Sequence, residues 1–134
     1  QGTHLAITSV AGFAPLKHRT AYAASKHAMT GFFGSLRGEE VAFGVRTVLA
    51  APSFVATNAG AKFDAQGMGP PGAAGDGVDE MTPETAAQTI LTGLDKGRDF
   101  IPVGRVAGMA WWVNRLAPKL YERQMLKTIT GESA

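Results

Sequence analysis

The sequence has no cysteine among its 134 residues. That excludes disulfides and cysteine-ligated metals and suits a reducing, cytoplasmic compartment. Charge of either sign is sparse: 18% of residues are charged and the net charge is +2, too little to argue for a nucleic-acid partner without a clustered basic face. No run approaches the roughly 18 apolar residues that would span a bilayer. Metal-ligand spacing is missing too: Asp64, Asp76, Asp79 and Glu80 match no ligand motif and read as solvated charges. What is plentiful is apolar. Hydrophobic residues make up 45%, enough to bury a core and too many for a disordered tail. The length suits one domain, with no internal repeat.

The apolar run His4–Val10, bounded by Gly2 and Gly12, predicts a buried strand. Residues 11–20 read as a loop around Gly12 and Pro15. It carries Lys17, His18 and Arg19, a solvated basic tip or, alternatively, a substrate contact. A helix is expected from Ala21 to about Phe43, capped by Thr20. Ala21, Ala24, Ala28, Phe32 and Leu36 are spaced for an inward stripe, widened by Met29 and Phe33. Gly31, Gly34 and Gly38 each cost about 1 kcal/mol relative to alanine, tolerable where another backbone packs against that side. Gly44 is the stop, and Val45–Ala51 the second strand, ending at Pro52. Strand, helix and strand in this order predict a right-handed crossover and a parallel α/β sheet. Ligands of such sheets bind beyond the carboxyl ends of the strands.

Residues 58–80 are glycine-rich, with Pro70 and Pro71 adjacent, and read as a lid over a site. Thr82-Pro83-Glu84 opens a helix to about Lys96, with Ala87, Ile90, Leu91 and Leu94 inward and Gly97 ending it. Phe100–Val103 is a third strand. From Val106 the chain is helical again, broken or restarted at Pro118. Met109, Trp112, Val113, Leu116 and Leu120 form an apolar stripe, accompanied by Arg105, Arg115, Lys119, Arg123 and Lys127. This C-terminal helical extension, 105–134, has three readings. It docks on protein, it covers a substrate pocket, or it lies on a membrane surface through 105–129. Docking on protein is favoured, because the stripe is short and Pro118 interrupts it.

The chemistry gathers around Ser9, Tyr22 and Lys26. Tyr22 and Lys26 are four apart and share a helix face. A free phenol, with a pKa of about 10, is a poor acid–base catalyst at neutral pH. A neighbouring ammonium favours the phenolate and makes the pair a candidate general acid/base. Ser9, where the first strand gives way to a loop, can donate to a substrate oxygen. The Pro52–Thr57 segment reaches the same edge of the sheet.

Tyr22-Ala23-Ala24-Ser25-Lys26, the serine of Thr8-Ser9-Val10-Ala11-Gly12, and Pro52-Ser53-Phe54-Val55-Ala56-Thr57 together resemble the short-chain dehydrogenase/reductase family in its classical branch. The resemblance implies a Rossmann-like doubly wound parallel sheet. It implies an NAD(P)-dependent oxidoreductase interconverting a small-molecule alcohol and a carbonyl, using NAD or NADP. Its catalytic set would be Ser9, Tyr22 and Lys26. Its nicotinamide-side contacts would be Tyr22, Lys26, Pro52, Val55 and Thr57, with no metal. It implies a homo-oligomer, a dimer or tetramer. Ser53 departs from the family's usual glycine. Residues 1–134 correspond to the C-terminal catalytic part of one such domain, about three strands, without the glycine-rich cofactor-binding half. A fragment of this kind is expected to be inactive alone. The rivals are a nucleotide-sugar epimerase and a non-catalytic scaffold that keeps the fold. The intact Ser9, Tyr22 and Lys26 speak against the scaffold.

Overall fold

A computed structural model describes residues 1–57 and 80–130. The proposed 58–80 lid lies outside this range except for Glu80, as do Asp64, Asp76, Asp79 and the last four residues of the C-terminal extension.

Three strands, β1 (Gly2–Ile7), β2 (Val45–Pro52) and β3 (Phe100–Val103), form one sheet in the order β1-β2-β3. Both pairings are parallel, with Gly2 opposite Val45, Ile7 opposite Ala50, and Leu49 opposite Phe100. The helix α1 (Thr20–Glu40) makes the β1–β2 crossover; α2 (Pro83–Asp95) precedes β3. Two further helices, α3 (Arg105–Leu116) and α4 (Pro118–Thr130), close the chain. The expected parallel α/β arrangement is therefore present.

The first strand is shorter than the apolar run predicted. It stops at Ile7, and Val10–Gly12 forms a 3₁₀ turn opened by Ser9. The second strand includes Pro52 as its last residue, where a missing N–H is tolerated. Thr82 caps α2 by accepting the N–H of Thr85, with Pro83 at the first helical position. Pro118 restarts a helix after Leu116. Gly44, at φ 69°, takes the left-handed conformation that terminates the α1 segment.

The inward faces differ from those the periodicity suggested. In α1 no residue is fully buried. The side turned to the rest of the chain carries Tyr22, Lys26, Met29, Thr30, Phe33 and Arg37, all half-buried, whereas Ala21, Ala24, Ala28 and Phe32 face outward. Hydrogen bonds fix this rotation. Lys26 and Thr30 meet Thr8 near one end, and at the other Arg37 Nε donates to the Thr47 carbonyl at 3.1 Å. Gly31, Gly34 and Gly38 meet no described atom on their open side. Thr20 is the first helical residue rather than the cap, which is Arg19. In α2 the inward residues are Ala86, Ile90 and Gly93; Ala87 and Leu91 face out. In α3 and α4 the buried residues, among those whose side chains are described, are Ala107, Ala110 and Tyr121, while Met109, Trp112, Leu116 and Leu120 are exposed.

Two apolar clusters result. Val48, Ala50, Ile101 and Val103 of the sheet pack with Ala86 and Ile90 of α2, joined by Val55 and Met81. Val10 and Ala14 of the loop after β1 pack with Ala107, Ala110 and Tyr121, joined by Phe13, Val113 and Met125. Burial at about 25 cal/mol per Å² of apolar area drives both. In β3, Pro102 lies opposite Ala51. Leu49 N–H donates to the Asp99 carbonyl and Ser53 N–H to the Val103 carbonyl. Residues 99 and 103 therefore turn toward β2, and Pro102 turns its ring nitrogen to the outer edge.

Candidate active site

The site is built where β1 and β2 end side by side. Thr8 continues the sheet for one residue, its N–H donating to the Ala50 carbonyl at 2.8 Å. Ser9 follows with extended backbone, and its Oγ accepts the Ala11 N–H at 3.2 Å. That bond uses a lone pair, so the hydroxyl proton is available to donate elsewhere.

Tyr22 sits in the first turn of α1, half-buried. One turn later, the Lys26 ammonium lies 5.8 Å from the centre of the Tyr22 ring. It donates to the Ile7 carbonyl at 3.2 Å and meets the Met29 sulfur at 3.7 Å. Lys26 thus bridges the Tyr22 side chain and the backbone two residues before Ser9. The structure brings Tyr22 and Lys26 together and ties Lys26 to the end of β1. Among the described residues, no hydrogen bond joins the Ser9 and Tyr22 hydroxyls directly.

Thr8, to which the sequence assigns no role of its own beside Ser9, holds the start of α1 to the end of β1. It is 4% exposed. Its Oγ1 donates to the Lys26 carbonyl at 3.2 Å and lies 3.3 Å from Thr30 Oγ1, which itself donates to that carbonyl at 3.1 Å. Gly12 closes over the group. A Cβ there would run into Thr8 Oγ1 and stand 3.0 Å from the Lys26 carbonyl oxygen, so only glycine admits this approach. Gly12, four residues after a buried hydroxyl, was the one sequence hint.

The Pro52–Thr57 segment leaves β2 on the same edge. Ser53 N–H donates to the Val103 carbonyl at 3.0 Å. Val55 turns its side chain to the core and bridges Met81. The Thr57 N–H returns to the Val55 carbonyl at 2.7 Å, and Thr57 itself is exposed. Among the described residues, the buried Ser53 Oγ has no hydrogen-bond partner.

A family model described as short chain dehydrogenase matches residues 1–67. The chain belongs to the short-chain dehydrogenase family. It is 33% identical over 131 residues to "Dehydrogenase/reductase SDR family member 7B" of Bos taurus, covering 93% of this chain and 39% of that protein. It is 31% identical over 125 residues to the protein of the same name from Xenopus laevis, covering 90% of this chain and 38% of that one. The chain thus spans about two-fifths of the length of these relatives. In fold it resembles a short chain dehydrogenase of Burkholderia cenocepacia solved in complex with NADP, with a TM-score of 0.71 at 17% identity over 92% of this chain and 47% of that one. A short-chain dehydrogenase of Streptomyces avermitilis gives a TM-score of 0.64 at 18% identity, over 100% of this chain and 53% of that one. The Rossmann-like fold expected from the resemblance is thereby established.

Members of a dehydrogenase family imply a nicotinamide nucleotide, and the donors present fit the polar nicotinamide end of one. An ammonium carries three N–H donors. Lys26 gives one to the Ile7 carbonyl and a weak one to the Met29 sulfur, leaving capacity for a ribose hydroxyl. The buried Ser53 Oγ, without a partner among the described residues, lies at the same strand edge, where a buried hydroxyl calls for a partner.

Proposed function

We propose that these residues form the catalytic part of an NAD(P)-dependent oxidoreductase that interconverts an alcohol and a carbonyl. The observation that carries this reading is the Lys26 ammonium, set between the Tyr22 ring and the Ile7 carbonyl at the carboxyl edge of a parallel sheet. In this reading the Ser9 hydroxyl holds the substrate oxygen. Tyr22 donates a proton to that oxygen in reduction and accepts one in oxidation. Lys26 provides the positive charge beside the phenol and holds ribose hydroxyls. Pro52, Val55 and Thr57 shape the nicotinamide side, Val55 through its backbone, since its side chain turns inward. The nucleotide, when bound, supplies or accepts the hydride; the protein contributes position and electrostatics.

The cofactor's phosphate-binding turn lies, on this reading, in a part of the protein outside residues 1–134. The protein is taken as a homo-oligomer, which the outward Phe32 and open glycine side of α1 support. Among the described residues no helix is long and apolar enough to cross a membrane.

The test is Tyr22→Phe in the full-length protein, followed by NAD(P)H absorbance with a panel of aldehydes and ketones. A folded variant should lose at least about 100-fold in kcat, in line with general acid–base contributions. Near wild-type turnover by that variant would end the assignment of Tyr22.

A further inference from the structure

The chain between Ser9 and Tyr22 contains a segment that its own backbone holds only in part. The 3₁₀ turn uses the N–H groups of Gly12, Phe13 and Ala14, and the next internal backbone bond runs from Arg19 to Leu16. In between, three alternate residues find partners roughly a hundred positions away. Asn114 Nδ2 of α3 donates to the Phe13 carbonyl at 2.8 Å. The Tyr121 hydroxyl of α4 donates to the Pro15 carbonyl at 3.2 Å. The Lys17 N–H points at the Met125 sulfur of α4 at 3.4 Å.

The side chains reinforce the pattern. The Phe13 ring meets Trp111 edge-on at 5.1 Å, and Trp111 stacks on Phe100 of β3 at 4.1 Å. Ala14 is 0% exposed, packed among Val10, Ala107, Ala110 and Tyr121. Burial pushes the Tyr121 phenol above its ordinary value, so the hydroxyl remains a donor throughout the neutral range.

Resting on the reading of Ser9 and Tyr22 as catalytic, we propose that Asn114, Tyr121 and Met125 are positioning residues that hold residues 13–17 as the fixed wall of the substrate pocket. They never meet substrate; they act through the backbone of the loop. The physical reason is direct. This loop leaves the carboxyl end of β1, the edge at which ligands of parallel sheets bind. A loop with few internal hydrogen bonds is free to shift, and loss of positioning weakens recognition at the site. Three side chains from one helical pair remove that freedom at every second residue. Within the chain, the two helices pack against this loop through Ala107, Ala110, Trp111, Val113, Tyr121 and Met125.

The experiment compares full-length wild type with Tyr121→Phe, Asn114→Leu and Met125→Leu. The first variant keeps ring and volume and deletes only the donor. Carbonyl-substrate kinetics at saturating cofactor are measured alongside cofactor affinity and hydrogen exchange of the Phe13, Ala14, Leu16 and Lys17 amides. Tyr121→Phe and Asn114→Leu should each raise KM by about three- to tenfold, the scale of one lost hydrogen bond. Met125→Leu should have a smaller effect in the same direction. Turnover at saturation should stay within about twofold, and cofactor affinity should be unchanged. Exchange should quicken at those four amides and not in the sheet. Leu116→Ala, on the outward face of α3, should leave all of these readouts unchanged.

Two results overturn the proposal: unchanged KM and unchanged local exchange in folded Tyr121→Phe and Asn114→Leu, or a uniform loss of protection across the sheet, which marks a merely stabilising role. If wild type turns over no carbonyl or alcohol with either nucleotide, the oxidoreductase reading falls and the pocket-wall role falls with it. The exchange data then decide only whether the three side chains hold the loop.

Discussion

The Thr8 hydroxyl donates to the main-chain carbonyl of Lys26 at 3.2 Å. From the other side, the Lys26 ammonium donates to the carbonyl of Ile7, the residue before Thr8, at 3.2 Å. Two consecutive residues at the end of β1 therefore grip one lysine at both its backbone and its side-chain end. Thr8→Val keeps the shape and deletes the donor. It should cost about 1 kcal/mol by urea unfolding, and Thr8→Ser should recover most of it. In a double cycle with Thr30→Val, a coupling of at least about 0.5 kcal/mol is expected. Strict additivity of the two single losses would show that the hydroxyls act independently.

Gly12→Ala pushes a methyl group into Thr8 Oγ1 and toward the Lys26 carbonyl. Overpacking of this kind costs about 1–3 kcal/mol. The cost should shrink in a Thr8→Ala background, because the nearest of the three obstructions is gone while Thr30 Oγ1 and the Lys26 carbonyl remain. Calorimetry of the four proteins measures the difference. An equal cost in both backgrounds would remove Thr8 from the account.

Lys26→Met keeps the length of the side chain and removes the charge. A charge-assisted hydrogen bond contributes about 1.5–3 kcal/mol, so nicotinamide nucleotide affinity in the full-length protein should fall at least about tenfold. Isothermal titration reads this directly. Undiminished affinity would place Lys26 outside the cofactor site, even if turnover dropped.

Tyr121 links stability to alkaline pH. Its phenol is raised by burial, so the folded state holds the proton more tightly than the unfolded state does. The associated stability is present below the unfolded value of about 10 and is lost as pH rises through the folded one. Wild type should therefore lose stability more steeply above pH about 10 than Tyr121→Phe does. Parallel slopes in urea unfolding at alkaline pH would contradict this.

Much of this arrangement could be read from residue order. Alternation of apolar runs with glycine and proline gave β1, α1, β2 and β3 in order, and Thr82-Pro83 and Pro118 marked helix starts by their backbone chemistry. The juxtaposition of Tyr22 and Lys26 was legible because their spacing is local. What periodicity could not choose was which apolar face turns inward. In α1 both faces carry apolar residues, and the choice is made by hydrogen bonds to Thr8 and Thr47. The same holds in α3, where Ala107 and Ala110 pack inward and the larger Met109 and Trp112 do not. Small residues allow the close approach that Asn114 needs to reach the Phe13 carbonyl, and no local pattern announces a partner so distant in sequence.

Pro102 gives the sheet a direction of growth. Its nitrogen has no hydrogen and faces the outer edge of β3, so a further strand laid there would find a gap in the donor row at the middle of a four-residue strand. The opposite edge, β1, has no proline, and its Leu5 and Ile7 are 38% and 50% exposed. The β1 edge therefore offers a neighbouring strand an unbroken donor row and the β3 edge an interrupted one, so edge pairing is expected from the β1 side.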